Sequence, residues 1–138
     1  MQSLYERQLA ALGALGVAPP GKLTVMRGDI VRMTVAFNYR GSAINVTLRC
    51  SIGQKNLGVF DEIAYATKPI SLPQSMDFVP YEAYADISTA AIAPGMNYDI
   101  EAKIEEYTGQ TLVKVDNVID VLGEPEFQNF VITDYSKL

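Results

Sequence analysis

The chain has 138 residues, 49% of them hydrophobic and 20% charged, so it is long enough for one buried core and too apolar to be disordered throughout. Its formal net charge of -5 and pI of about 4.6 argue against nucleic acid as a partner, since a phosphate-backbone binder displaces counterions with Lys and Arg. No histidine is present, which removes the usual general base and the usual transition-metal ligand, and the single Cys50 can form no disulfide within the chain.

Ser3 and Glu6 have capping-box spacing, and Tyr5, Leu9 and Leu12 recur at helical intervals. Residues 3 to about 15 therefore predict a short amphipathic helix, ended by Gly13 and Gly16. Such a helix is marginal alone and needs a surface for its apolar stripe. No uninterrupted apolar stretch here is long enough to span a membrane, so the expectation is a soluble protein with no membrane partner.

"GVAPPGKLT", Gly16 to Thr24, comes close to a phosphate-binding loop. Such a loop needs a hydroxyl after its Gly-Lys, where Leu23 stands, and it needs backbone amides that Pro19 and Pro20 do not have. It must also run from strand into helix, whereas this segment runs from helix into strand. The simpler reading divides the chain into an N-terminal helix and linker, 1–18, and a β-sandwich domain, 19–138.

Beyond the linker the period changes from helical to alternating. Val31, Met33, Val35, Phe37 and Tyr39 form one half-buried strand; after a turn at Arg40–Ser42, Ile44, Val46, Leu48, Cys50 and Ile52 form another. "RGD" at Arg27–Asp29 is a tripeptide of some adhesion ligands, but at this position it reads as a turn with Gly28 at the bend. Asn45-Val46-Thr47 is a glycosylation sequon, relevant only in a secretory route that nothing else indicates. From Gly53 to Pro80 the pattern predicts a short strand near Val59–Ala66 and loops around Pro69, Pro73 and Pro80, with edge strands wherever prolines enter.

Tyr81, Ala83, Ala85 and Ile87 restore the alternation. Tyr98, Ile100, Ala102 and Ile104 continue it, with Asp99, Glu101, Glu105 and Glu106 expected as a solvated charged stripe rather than a catalytic or calcium site. "GQTLVKVDNVIDVLG" gives a further strand with a bulge near Asp116–Asn117, where its apolar parity shifts. The last segment, "EFQNFVITDYSKL", alternates again with apolar residues on both faces and is expected as a C-terminal strand that pairs within the sandwich or with a neighbour.

About seven or eight short strands without intervening helices predict an all-β, antiparallel sandwich with a short N-terminal helix. "IAPGMNYDIEAKI", Ile92 to Ile104, resembles the corner and following strand of fibronectin type III and other immunoglobulin-like domains. The resemblance implies a structural corner in which Gly95 makes a tight turn and the buried Tyr98 bonds backbone through its hydroxyl. The tryptophan and the cysteine pair of many such domains are missing.

No catalytic, cofactor or metal motif emerges, so no enzyme and no cofactor is expected. Both ends of the chain look sticky: Tyr5, Leu9 and Leu12 in the helix, and Phe127, Phe130, Ile132 and Tyr135 in the C-terminal segment, form apolar faces that either close the sandwich or contact a neighbour. The functional expectation is a structural subunit that self-associates or joins other protein subunits in a larger assembly, with a phage or virus particle as the concrete case. The alternative is a carbohydrate-binding or adhesion module, for which Tyr39, Tyr65, Tyr81, Tyr84 and Tyr107 supply candidate aromatics.

Overall fold

The structure is a computed structural model that describes residues 21–138. The expected N-terminal helix, with Tyr5, Leu9 and Leu12, lies outside the described residues.

Among the described residues seven strands follow one another: β1 (Leu23–Met26), β2 (Ile30–Gly41), β3 (Ile44–Asn56), β4 (Val59–Leu72), β5 (Ser75–Ser88), β6 (Gly95–Ile104) and β7 (Val113–Leu122). Between β6 and β7 a 3-10 turn, Glu105–Tyr107, runs into a single helical turn, α1 (Thr108–Thr111), an interruption that the strand pattern does not announce. The molecule is all-β, with a five-stranded sheet in the order β1-β7-β6-β3-β4 and a two-stranded sheet, β2-β5. All pairs are antiparallel except β1 with β7.

The alternation read from the sequence is what builds the core. Along β3 the inward positions Val46, Leu48, Cys50 and Ile52 are buried and meet Val31 and Met33 of β2 and Ala85 and Ile87 of β5 in one apolar cluster. Ala102, Ile104, Ile119 and Val121 complete it from β6 and β7. Leu48, Ile52 and Ile87 are fully enclosed, and burial of each such side chain contributes about 1.5–3 kcal/mol. Two sheets joined by one core are compatible with a β-sandwich.

Three expectations need correction. β4 and β5 run straight through Pro69 and Pro80, and only Pro73 falls in a loop. The prolines are tolerated because β4 is an outer strand of its sheet and β5 has a single partner, so a residue without an N–H can face an unpaired side. The C-terminal segment, residues 123–138, forms no strand. Asp99 is not part of a solvated stripe: it is 3% exposed and accepts the Asn117 N–H at 2.7 Å. The parity shift at Asp116–Asn117 explains this, because Asn117 turns into the left-handed region (φ 57°) and directs its amide at the Asp99 carboxylate.

Candidate functional site

The corner before β6 is built around Tyr98. Its ring is 5% exposed and its hydroxyl donates to the Ala93 carbonyl at 2.6 Å. Gly95 lies beneath it, where a Cβ would come within 3.1 Å of the tyrosine oxygen. Glycine therefore makes room for the ring here. The left-handed turn falls instead on Asn97 (φ 65°), whose N–H donates to Asp120 at 2.9 Å. That hydrogen bond, followed by one from Lys22, holds the Asp120 carboxyl below the usual carboxylate range. Lys22, the residue that a phosphate loop would aim at its ligand, is occupied by Asp120 at 3.0 Å, and the chain enters β1 directly after it.

Arg27 and Asp29 are exposed, but each is bonded to backbone at the turn. The Asp29 carboxylate accepts the Met26 N–H at 2.8 Å, and Arg27 Nε donates to the Ala90 carbonyl at 3.1 Å. Buried Thr89 ties the turn from below, its hydroxyl accepting from the Gly28 N–H at 2.9 Å and donating to the Asp29 carbonyl at 2.8 Å. This lock makes the tripeptide a structural turn.

The most developed polar array lies on the outer face of the five-stranded sheet. Arg49, outward on β3, makes a two-pronged contact with Glu62 of β4, Nε to Oε1 at 3.0 Å and Nη2 to Oε2 at 2.7 Å. Its third nitrogen donates to Glu105 at 3.0 Å, and its plane stacks 3.8 Å over the Tyr65 ring. Ser51 donates to the same Glu62 carboxylate at 2.5 Å. These bonds hold Glu62 below the usual carboxylate range, led by the one from Arg49, and raise the Arg49 guanidinium above its ordinary value through Glu62 first and Glu105 second.

Glu62 reaches this face only through a β-bulge. Ile52 pairs with Ala64 but the next residue, Gly53, pairs with Glu62, so Ile63 is passed over and the parity of β4 flips. Around the cluster lies an open hollow of about 440 Å³ bordered by Phe60, Glu101, Lys103 and Thr108.

Chemically this face is self-saturated. Its central arginine is engaged by two carboxylates, and Glu62 is held in its ionised form, which suits binding or solubility rather than proton transfer near neutrality. Burial pushes the Cys50 thiol up to about 11, so it is a core residue and not a nucleophile. Among the described residues no group of three or more Cys, Asp or Glu side chains is placed to hold a metal ion.

The other unusual feature is apolar. Phe127, Phe130, Ile132 and Tyr135 are 86%, 89%, 83% and 92% exposed on the unpaired C-terminal segment. Exposed aromatics also occur on the sheets, but Tyr65 lies under Arg49, while Tyr84 on the other sheet has Arg32 at 3.9 Å and Lys68 at 4.9 Å from its ring. The sequence pattern placed Arg49 outward without revealing its partners; the one available signal was Gly53, a glycine inside a strand pattern. No protein-family model matches the chain, and no curated protein matches it.

Proposed function

We propose that this chain is a non-enzymatic structural subunit of a larger protein assembly, built as an immunoglobulin-like sandwich. For the fold, the support is a sheet order in which the first strand lies parallel to the last, the second pairs with the fifth, and a tyrosine at the start of β6 bonds backbone upstream. For the role, the observation that carries the reading is the exposed apolar C-terminal segment, a kind of surface that often marks contact with another protein. A phage or virus particle is the concrete setting, by analogy with the β-sandwich subunits of capsids.

The experiment is compositional: purified particles from the source are resolved and searched for this polypeptide at fixed stoichiometry. Its presence as a regular component supports the reading, and its absence from every such assembly defeats it. A sugar-binding or adhesive module has less behind it, because Tyr65 and Tyr84 each already have an arginine against the ring and the Arg27–Asp29 turn is internally bonded.

A further inference from the structure

The chain leaves β7 at Leu122 and makes no further strand. Within this tail Asn129 adopts the left-handed region (φ 55°), which separates the residues before it from the six that follow, Phe130–Tyr135. Those six read FVITDY, β-branched residues framed by aromatics, a composition that favours strands. A strand-forming segment without a ladder and a sheet with a bare edge complete each other, because main-chain hydrogen bonds form on both at once.

Among the described residues four strands have an unpaired side: β1, β2, β4 and β5. β1 is only four residues long, shorter than the segment to be paired. β4 and β5 contain Pro69 and Pro80 within their runs, and β5 carries Asp77, Glu82 and Asp86 with no basic residue. The tail itself is acidic, with Glu124, Glu126 and Asp134 against Lys137. β2 is the complement: twelve residues, no proline and no acidic residue, with Arg32 engaged by Asp86 at 2.9 Å and Arg40 in no ion pair among the described residues.

We propose that Phe130–Tyr135 of one copy adds as a strand to the free edge of β2 in a second copy, extending the two-stranded sheet to three strands. This rests on the assembly reading and names the partner as the chain itself. The donor is a neighbour for two reasons. In its own chain the segment lies off the sheets with Phe130 and Tyr135 exposed. The tail also departs beside the β1–β2 turn, where the Arg27 N–H donates to the Leu122 carbonyl at 2.8 Å, so its direct course along its own β2 is parallel. A second copy can approach antiparallel, the slightly more stable ladder per residue.

Alternation sets the facing. Directing Asp134 to the outer side that carries Arg40 leaves Phe130 and Ile132 outward and turns Val131, Thr133 and Tyr135 inward, toward the side of β2 that holds Val31, Met33 and Val35.

The test uses the full chain and the variant V131D/Y135D, with light scattering over a concentration series and residue-resolved amide exchange. Val131 and Tyr135 are exposed, so the variant should keep the circular dichroism and melting temperature of the parent. The expected result is a concentration-dependent rise in mass for the full chain, accompanied by about tenfold or greater slowing of exchange at β2 amides, with the variant monomeric throughout. A synthetic peptide of residues 126–136 added to the variant should restore protection on β2. Assembly of the variant like the parent, protection on β4 or β5, or protection independent of concentration overturns the proposal. So does a full chain that stays monomeric with no response of the variant to peptide. In each of these cases the assembly reading is judged separately, by whether particles contain the polypeptide.

Discussion

Gly53 is the residue on which the outer face of the large sheet depends, and Gly53→Ala is the sharpest test of that dependence. A Cβ built there would lie 2.0 Å from the Asp61 carbonyl oxygen and 3.0 Å from the Phe60 ring, although real contacts of this kind do not fall below 3.0 Å. Relief requires β3 and β4 to separate by about 1 Å (3.0 less 2.0) at a point where the obstacle is backbone and cannot rotate away. A ladder hydrogen bond does not survive such a displacement. Losing two of them at about 1 kcal/mol each, with about 1 kcal/mol of residual strain, gives a destabilisation of about 3 kcal/mol. The midpoint of thermal unfolding should fall by roughly 10 °C or more.

Urea unfolding followed by far-ultraviolet circular dichroism measures this directly, with an unchanged m-value as the sign that stability alone has moved. Gly109→Ala is the control: its Cβ meets nothing within 4 Å, and it should stay within about 0.5 kcal/mol of the parent. Because the bulge brings Glu62 to Arg49, the Arg49–Glu62 coupling in a double-mutant cycle should also shrink in the Gly53→Ala background. A Gly53→Ala protein within about 0.5 kcal/mol of the parent would refute both the close approach and the role given to the bulge.

Tyr98→Phe removes the hydroxyl bonded to the Ala93 carbonyl and should cost about 1–3 kcal/mol in the same urea assay, with the sheets intact by circular dichroism. Leu57→Asn should raise stability by roughly 0.5–1 kcal/mol, because Leu57 (φ 54°) and Gly58 (φ 80°) form the tip of the β3–β4 hairpin, where Asn-Gly fits the mirror-image turn far better than Leu-Gly. The pH dependence follows from carboxyls lowered by their partners: Glu62, Glu106, Asp86 and Asp120. Their folded pKa values lie below the unfolded ones, so their contribution is fully present above the unfolded value of about 4–4.5 and is lost as pH falls through the folded values. Melting temperature should be nearly flat between about pH 6 and 8, where no histidine titrates, and should fall below about pH 4.5, less steeply in Glu62→Gln. A transition near neutrality would contradict this assignment.

The strands and the core were legible because period 2 reports directly on which side chains face inward. β3 is the clearest instance: its inward set, Val46 to Ile52, is read correctly from alternation alone. The Tyr98 corner was legible as a local pattern, although the left-handed residue turned out to be Asn97 and Gly95 serves the ring above it. What alternation cannot report is a change of parity forced by a partner strand. Asp99 was misplaced because its burial depends on the bulge opposite, at Asn117, and the Arg49–Glu62 pair was invisible because Glu62 sits on the outer face only after Ile63 is passed over. The tail was read as a strand for a related reason: the residues of 130–135 have strand propensity, but a strand exists only where a partner supplies the ladder.

These features together indicate where recognition should occur on this molecule. On the outer face of the large sheet a partner would have to displace Glu62 and Glu105 from Arg49, or Asp116 from Lys55 at 2.7 Å, and exchange satisfied ion pairs for new ones at little net gain. At the edges the balance differs. Among the described residues the free side of β2 and the tail have no ladder partner, and the local bond from the Tyr135 N–H to the Asp134 carboxylate is the one contact that pairing has to exchange. The opposing cost is the ordering of about six tail residues, at roughly 1–2 kcal/mol each. Main-chain bonds at about 1 kcal/mol apiece do not cover that alone. Burial of Val131 and Tyr135 has to supply the remainder, which is why replacing those two residues, and not any charge on the sheet faces, should abolish association.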